Sequence, residues 1–428
     1  MQVAATNAAD VRAAVLTARE RGLPLSVYAT GHGTLVANDG GLQIDTSAMA
    51  EVLVDPDRRV ARVGPGARWG EVLAAAAPFG LAPLSGSHAD VGVAGYTLGG
   101  GIGWLGRRFG LASDSLLRAD VVTADGELVR ATPDRNGDLF WALRGGGGNF
   151  GIVTSLELRL FDVPQVYAGT ALFPIARAGA VLEFYRDWGA ELPDELSTTL
   201  VLLRESPDPS IDGPVLAVRA VYAGPRPDAM VALRPLWDAA GPALAGDFRE
   251  SRFADVALGG TAPRSFELYR DLPDALIDTA VETIMVGAAN AIDVRLWGGA
   301  IARRGTGAGP AGHRDVPFSI TVDGPPEAAA PLALHATGGS FLNFLKDAAR
   351  TESAYTAGNW ERLRDVKRAY DPDNAFRVGH TIPPAAPGRY AARLGSGSAK
   401  SSAPMRSRSS AGTRQAASAS MFSVTDRS

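Results

Sequence analysis

The sequence contains no cysteine. This absence excludes disulfides, thiolate nucleophiles, iron–sulfur clusters and cysteine-rich zinc sites, so the fold must be held together by packing alone. The sequence also lacks a run of 18 apolar residues, and its start lacks a basic region followed by an apolar one. These two absences predict a protein with no membrane partner that resides in the cytoplasm.

Strong net charge is absent as well. The formal net charge is −4 over 428 residues, which provides no electrostatic footprint for nucleic acid or for an anionic membrane. Small molecules are therefore the expected partners. Because 46% of the residues are hydrophobic, a chain of this length can fill two cores, and two lobes are expected.

Glycine, in contrast, is concentrated in one part of the chain. Residues 86–103 read GSHADVGVAGYTLGGGIG, and the shorter motif Thr30-Gly31-His32-Gly33 precedes them. Glycine has no Cβ, so backbone N–H groups can approach a ligand closely, and successive N–H groups suit a pyrophosphate. The two motifs together predict a dinucleotide cofactor, whereas either one alone is explained as well by a tight turn in a sheet protein.

Part of this stretch also matches the G-x-G-x-x-G pattern of NAD-binding folds. Gly101, Gly103 and Gly106 supply the glycines, and Asp125 stands about 20 residues further on, where a ribose-binding acid is expected. However, Asp125 is followed by Gly126 and flanked by two short extended runs. That arrangement is typical of a β-hairpin rather than of a strand that leads into a crossover helix, so an NAD-type site is disfavoured.

The pattern of helices and strands predicts the α+β fold class. Asn7 or Asp10 can cap a first helix, and another helix is predicted over Trp69–Ala76. From about residue 166 the extended runs become longer, at 197–203, 215–222, 293–301 and 317–322, with helices around 178–192 and 230–240. This second region is predicted to be an α+β lobe with one antiparallel sheet covered by helices. The predicted divisions are a first lobe at 1–165, a second lobe at 166–345 and a C-terminal segment at 346–387. They are followed by a disordered tail at 388–428, which is poor in large apolar residues.

Five motifs follow one another along the chain up to Pro384. They are Thr30-Gly31-His32-Gly33, Val63-Gly64-Pro65-Gly66-Ala67-Arg68-Trp69, the run from Val91 to Gly103, Gly148-Asn149-Phe150-Gly151-Ile152-Val153, and the run from Tyr370 to Arg377. Together they resemble the bacterial FAD-linked oxidases of the berberine-bridge-enzyme-like group, in the vanillyl-alcohol-oxidase superfamily. The resemblance implies a PCMH-type FAD-binding domain, a second lobe whose sheet covers the isoalloxazine, and a C-terminal segment that returns to the FAD lobe.

The same resemblance implies that His32 carries the FAD covalently, through its imidazole and the 8α-methyl group of the flavin. Gly31 and Gly33 on either side leave the loop free to approach the flavin edge. Without the resemblance, a histidine between glycines is more simply a turn residue bonded to the backbone. Many relatives form a second link through a cysteine at the place that His88 occupies here, so a single link is expected. Relatives usually begin with a further helix and strand, which predicts either a bare edge in the FAD lobe or a sequence that starts late.

The other residues predicted to contact the cofactor lie in the same motifs. They are Thr30, Gly31, Gly33, Thr34, Gly86, Ser87, His88, Val91, Gly92, Gly95, Gly100, Gly151, Val153 and Asn374. In relatives, the position that matches Val91 gates the access of oxygen to the flavin, with valine leaving room and isoleucine closing it. The alternative interpretation is that Val91 is simply a buried strand residue.

A flavin accepts a hydride from a carbon that bears oxygen or nitrogen, and the protein must supply placement and a base. Many relatives use a tyrosine from an Asn-Tyr pair near the C-terminus. The pair here is Asn359-Trp360, and an indole cannot accept a proton. Trp360, in the place of that tyrosine, is one candidate catalytic residue. The resemblance adds Asn343, which matches a family position near the flavin, and His380, which stands where relatives commonly have glutamine. Each of the three has a structural role as its alternative.

Two further polar groups complete the candidates. Asp293 and Arg295 alternate along an extended run, which predicts that both face the flavin from one side of a strand. His313-Arg314-Asp315 is interpreted as a capping or ion-pair cluster, because no second histidine lies at a spacing suited to a metal, and no metal site is predicted.

The sequence thus predicts an FAD-dependent oxidase of secondary metabolism that dehydrogenates an alcohol, a sugar hydroxyl or a secondary-metabolite carbon. Hydride transfer to flavin N5 would be followed by reduction of molecular oxygen to hydrogen peroxide. One alternative is a dehydrogenase that passes electrons to a quinone or a protein. Another is a flavin-binding protein without redox turnover, which the missing tyrosine favours.

Overall fold

Strands and helices alternate along most of the chain in a computed structural model that describes residues 1–33, 37–303, 305 and 307–386. Thr34 and the predicted tail at 388–428 lie outside the described residues. The strands are β1 (Gln2–Ala4), β2 (Leu25–Tyr28), β3 (Leu42–Asp45), β4 (Val52–Asp55), β5 (Val60–Val63), β6 (Leu81–Ala82), β7 (Leu116–Val122), β8 (Leu128–Ala131), β9 (Ile152–Arg159), β10 (Phe161–Asp162), β11 (Val166–Pro174), β12 (Leu196–Leu203), β13 (Val215–Tyr222), β14 (Ala245–Gly246), β15 (Arg249–Ser251), β16 (Ser265–Tyr269), β17 (Ala291–Leu296) and β18 (Phe318–Asp323). The α-helices are α1 (Ala8–Glu20), α2 (Trp69–Ala76), α3 (Val93–Leu98), α4 (Gly106–Phe109), α5 (Gly137–Leu143), α6 (Ala178–Trp188), α7 (Arg226–Ala240), α8 (Asp274–Met285), α9 (Pro326–Ala333) and α10 (Ala357–Tyr370).

The strands form separate sheets, which confirms the α+β fold class. A parallel sheet has the order β1-β3-β2, and an antiparallel one has the order β4-β5-β9-β7-β8. The largest sheet is antiparallel, in the order β14-β11-β13-β12-β17-β18-β16, with β15 also paired to β11. The strands β6 and β10 pair separately. Of the two alternatives for the first helix cap, Asn7 is the one used: its side chain accepts hydrogen bonds from the N–H groups of Ala9 and Asp10.

The predicted hairpin at Asp125-Gly126 is confirmed. It joins β7 to β8 in antiparallel register, with Val122 opposite Leu128. Gly126 has φ +82°, a conformation that favours glycine, and Asp125 accepts a hydrogen bond from the N–H of Glu127 at 3.2 Å. The chain turns directly back after β7 to form β8. Asp125 therefore does not stand at the end of a parallel strand that leads into a crossover helix.

The large sheet is apolar on the face that packs against α6, α7, α8 and α9. Leu200, Val218, Val294 and Ile320 lie on this face and share one buried cluster with residues of the four helices. The period-2 alternation of strands makes the opposite face a separate surface. One set of alternating side chains therefore lies in this core, and the other set lies on the opposite face of the sheet.

Two elements end earlier than the sequence predicts. The extended run predicted over 293–301 ends at Leu296, because Gly298 has φ +81° and Gly299 begins a 3₁₀ turn over Gly299–Ile301. The helix predicted over 178–192 ends at Trp188 and continues as a 3₁₀ turn over Gly189–Glu191.

The C-terminal segment is anchored by a fully buried ion pair. Lys367 Nζ lies 2.6 Å from Asp371 Oδ2, and neither side chain is exposed. Lys367 also donates to the carbonyl oxygens of Asn149 and Phe376, while Asp371 accepts from the N–H groups of Ala375 and Phe376. Burial lowers the pKa of Lys367, and the Asp371 charge opposes that shift. These contacts fix the turn after α10 against the loop that contains Asn149.

Among the described residues, no helix is both long enough and apolar enough to cross a bilayer.

Candidate active site

The two glycine motifs come together as one exposed rim, formed by residues 30–33 and 87–92. Gly31 follows β2 with φ +74°, and Gly92 packs so closely on Thr30 that an added Cβ would lie 2.8 Å from Thr30 Oγ1. His32 extends from this rim: its side chain is 47% exposed, and Nδ1 lies 3.9 Å from Asp90 Oδ2. The rim therefore presents an accessible imidazole next to a carboxylate.

Helix α2 holds the second half of the rim in place. The N–H of Trp69 donates to the carbonyl oxygen of Val91 at 3.0 Å, and the N–H of Gly70 donates to that of Ala89 at 2.7 Å. Val91 is half-buried and packs on the core of this lobe, whereas His88 is exposed and Ser87 is half-buried. The backbone of the rim is thus fixed while His88 stays accessible.

Some of the motif glycines open the backbone to solvent. A Cβ added at Gly33, Gly95 or Gly148 would meet no heavy atom within 4 Å. Gly95 lies on the exposed side of α3, directly after the rim. Backbone at these positions can approach a ligand closely, which is what a flavin nucleotide requires.

Other motif glycines are required by contacts within the protein. An added Cβ would lie 2.8 Å from the Phe341 ring at Gly100, 2.5 Å from Val121 Cγ1 at Gly151, and 3.0 Å from the Tyr96 ring at Gly86. Packing within the protein therefore already requires glycine at these positions, and their contact with the cofactor stays a prediction. Val153 likewise lies in the core on β9.

Asn343 connects the C-terminal part of the chain to the glycine-rich segment, residues 92–103. Its Oδ1 accepts a hydrogen bond from the N–H of Gly101 at 2.8 Å, and its Nδ2 donates to the carbonyl oxygen of Tyr96 at 3.1 Å. Both ends of the amide are therefore engaged. This geometry suits a residue that positions the segment.

His380 is engaged through both ring nitrogens. Nε2 lies 3.0 Å from the carbonyl oxygen of Leu345, and Nδ1 lies 3.0 Å from Thr351 Oγ1. A carbonyl only accepts, so Nε2 carries a proton, and in the neutral ring it is the nitrogen that does so. Burial lowers the pKa of His380, which favours this neutral form.

Trp360 lies in a buried apolar cluster, with only 8% of its surface exposed. Its ring stacks on that of Tyr355, with centroids 5.8 Å apart and an angle of 22° between the planes. The preceding Asn359 donates to the carbonyl oxygen of Pro310 at 2.9 Å. Asn374 occupies the turn that Asp371 anchors, with φ +53°. Trp360 is thus a core residue, and Asn374 stays a predicted cofactor contact.

The large sheet turns a polar surface away from its helices. This polar sheet face consists of alternating residues of neighbouring strands, namely Thr170, Ser197, Thr199, Arg219, Asp293, Arg295 and Ser319. Asp293 and Arg295 therefore share one strand face, as the alternation predicted. The hydroxyl of Thr199 donates to the carboxylate of Asp293.

Arg295 joins this face to the glycine-rich segment. Its guanidinium carbon lies 5.1 Å from the centroid of the Trp104 ring, which directly follows that segment. The positive charge of Arg295 also opposes the rise that burial causes in the pKa of Tyr96. Gly103, Trp104, Ser197 and Arg295 line one small cavity between the sheet and the segment.

Arg219 is a residue of this face that the sequence analysis missed. It lies opposite Thr199 on the neighbouring strand, and its Nη1 is buried without a hydrogen-bond partner among the described residues. A single arginine in an alternating strand carries no local signal. Only the pairing of β13 with β12 brings it beside Asp293 and Arg295.

No group of three His, Cys, Asp or Glu residues in the described ranges is arranged to hold a metal ion. His313 Nε2 donates to the carbonyl oxygen of Ser353, and Arg314 forms a two-point ion pair with Asp114 at 2.7 and 2.9 Å. His313 and Arg314 are thus both engaged in contacts within the protein.

The site thus combines an open glycine backbone with an accessible histidine, and a polar sheet face meets the glycine-rich segment where Arg295 lies by Trp104. Two family models match the chain: "FAD binding domain" over residues 1–132, and "Berberine and berberine like" over residues 340–383. The chain is 41% identical over 161 residues to (R)-6-hydroxynicotine oxidase of Paenarthrobacter nicotinovorans, an alignment that spans 37% of this chain and 35% of that oxidase. It is 29% identical over 420 residues to the FAD-linked oxidoreductase YgaK of Bacillus subtilis, covering 88% of this chain and 90% of YgaK.

Solved structures agree with these matches. The crystal structure of 6-hydroxy-D-nicotine oxidase from Arthrobacter nicotinovorans superposes with a TM-score of 0.78 at 25% identity, covering 90% of this chain and 92% of that one. Xylooligosaccharide oxidase from Myceliophthora thermophila, in complex with xylobiose, gives the same TM-score, identity and coverage. These matches confirm the resemblance of the motifs to FAD-linked oxidoreductases of the berberine-bridge-enzyme-like group, and they identify the chain as an oxidoreductase.

Proposed function

We propose that this oxidoreductase is an oxidase that dehydrogenates a small molecule at an alcohol, a sugar hydroxyl or a comparable carbon, with molecular oxygen as the electron acceptor. The observation that carries the proposal is the contact of Arg295 with Trp104, which sets the polar sheet face against the glycine-rich segment. The names of two relatives, one an oxidase of hydroxynicotine and one of xylooligosaccharides, support oxidation of a small molecule. Bound FAD would supply the two-electron oxidation of a carbon–hydrogen bond.

We further propose that His32 is the covalent attachment point of the FAD. The support is its exposure, the left-handed turn at Gly31, and the contact that brings Thr30 against Gly92. The remaining predicted contact residues of the rim, including Ser87 and Val91, would hold the cofactor backbone. Residues 1–165 and 346–387 would form the FAD lobe, and residues 166–345 the substrate lobe.

The roles of the chain's own residues follow from their contacts. Asn343 would fix the glycine-rich segment, and His380 would hold the C-terminal segment in a neutral hydrogen-bonded form. The polar sheet face would orient the substrate. Cytoplasmic residence and a role in secondary metabolism stay predictions from the sequence.

Two measurements on the purified holoenzyme test the proposal. Anaerobic mixing with a panel of alcohols, sugars and hydroxy acids should bleach the flavin absorbance with at least one compound. Subsequent admission of air should restore the colour and form one hydrogen peroxide per turnover. Bleaching without fast recovery in air, but with recovery on adding a quinone, would identify a dehydrogenase. A flavin that no compound bleaches would favour a binding protein without turnover.

A further inference from the structure

Arg219 is a half-buried cation whose environment within the protein does not satisfy it. Its Nη1 is buried and has no hydrogen-bond partner among the described residues. Burial lowers the pKa of Arg219, with Asp293 opposing that shift and Arg295 adding to it. Buried guanidinium groups are normally paired, because an unpaired charge is costly in a region poor in water.

Arg295 provides a second guanidinium on the same surface. The sheet register places Arg219 opposite Thr199 on one side, and Arg295 opposite Thr199 on the other. Since neighbouring strands are about 4.8 Å apart, the two arginine backbones are roughly 10 Å apart on one face. Two long side chains at that separation can reach the two oxygens of one small acidic group between them.

Charge balance on this face is positive. On the three central strands β13, β12 and β17, Asp293 is the single carboxylate of this face, and it is already engaged by the hydroxyl of Thr199. Two arginines against one aspartate leave one excess positive charge. The glycine-rich side of the same interface contributes further polar atoms that lack partners among the described residues, namely Tyr96 Oη and Trp104 Nε1.

We propose that Arg219 and Arg295 bind a carboxylate of the substrate, so that the enzyme oxidises hydroxy acids, sugar acids included, in preference to neutral sugars or cationic amines. One excess positive charge matches a monoanion, and it would repel a protonated amine. The inference rests on the proposed function, because this face meets a substrate only if oxidation occurs between it and the glycine-rich segment.

The test compares ligands that share a shape and differ in charge. Mandelate is paired with mandelamide, and D-glucuronate with D-glucuronamide, and binding to the holoenzyme is measured by calorimetric titration. We expect at least one acid to bind about tenfold or more tightly than its amide, the size expected for hydrogen bonds to a charged group. Arg219→Gln and Arg295→Gln should each remove most of that preference while leaving amide binding within about twofold.

Two further variants control for general effects. Asp293→Asn adds to the excess positive charge and should tighten acid binding, a gain that a misfolded protein cannot produce. Arg234 is 80% exposed on α7, so Arg234→Gln removes one positive charge far from the face and should leave both ligands unaffected.

Acids that bind no better than their amides in the wild-type holoenzyme, or that fail to bind at all, would overturn the inference. So would an acid preference that survives in both Arg219→Gln and Arg295→Gln. Flavin bleaching by the same compounds is recorded separately. If neutral compounds bleach the flavin while acids show no preference, the oxidase proposal stands and the carboxylate site fails. If acids bind through the arginines but nothing bleaches the flavin, the carboxylate site stands and the oxidase proposal fails.

Discussion

The side-chain amide of Asn343 accepts a hydrogen bond from the backbone N–H of Gly101 across 2.8 Å, and so ties the C-terminal part of the chain to the glycine-rich segment. The same amide donates to the carbonyl oxygen of Tyr96 at 3.1 Å. One side chain thus fixes two points of the segment that the cofactor is proposed to contact. This contact joins residues that are more than 240 positions apart in sequence.

Asn343→Leu keeps the size of the side chain and removes both hydrogen bonds. The N–H of Gly101 and the carbonyl oxygen of Tyr96 would then lose their partner in a half-buried place, which should lower the free energy of unfolding by about 1–3 kcal/mol. Urea denaturation measures this loss. Asn290→Leu, at an exposed asparagine on the edge of the other lobe, is the matched control and should change it little. Equal effects of the two variants would remove the positioning role.

His32→Ala should release the flavin when the protein is denatured, because the proposed covalent bond is lost. Wild-type protein precipitated with acid should keep the yellow colour in the pellet, and the variant should leave it in the supernatant. His88→Ala is the matched control, since His88 is also exposed and lies in the same rim. If the wild-type pellet is colourless, covalent attachment is wrong. If only His88→Ala releases flavin, the link belongs to His88.

Val91→Ile should slow the reaction of the reduced flavin with oxygen. Val91 is half-buried, and its backbone is held by the N–H of Trp69, so an added methyl group must occupy space at the rim. Anaerobic reduction by substrate should change little, and stopped-flow measurement of reoxidation in air-saturated buffer reports the difference. Val93→Ile, at a fully buried neighbour, controls for overpacking. Reoxidation that is equally fast in Val91→Ile and wild type would exclude Val91 as a gate.

His380 predicts a pH dependence of stability. Its pKa in the folded protein is lowered by burial from the ordinary value of 6.5, so the unfolded chain takes up a proton first as the pH falls. Stability contributed by this residue is therefore present above pH 6.5 and decreases as the pH falls from 6.5 toward the lowered pKa. Thermal unfolding between pH 5 and 8 measures the effect. His380→Gln cannot titrate and should flatten this part of the profile, and a decrease that persists unchanged in the variant would assign it to other groups.

The motifs predicted the family, the fold class and the cofactor because each depends on local sequence. The hairpin at Asp125-Gly126 was predictable for the same reason, since the turn chemistry of two adjacent residues decides it. Local patterns were less successful at the end of β17, where positive φ angles at Gly298 and Gly299 stop a run that composition alone would extend.

Roles of single side chains were less accessible from the sequence. Trp360 was a catalytic candidate by position in a motif, yet the structure places it in the core against Tyr355. Gly100 and Gly151 stay predicted cofactor contacts, but nothing in the sequence indicated that Phe341 and Val121 occupy the space that a side chain there would need. In each case the deciding neighbour is distant in sequence and carries no local signal.

The sequence by itself determined the alternation that separates the two faces of the large sheet, the glycine motifs, and the absence of thiol chemistry. The tertiary structure alone decided that Arg219 and Arg295 flank Thr199, that Arg295 lies over Trp104, and that Thr30 meets Gly92. The physical reason is that periodicity and turn propensity act over a few residues. The pairing of strands and the packing of loops instead join residues that are far apart in sequence, so the local sequence around either residue does not indicate the contact.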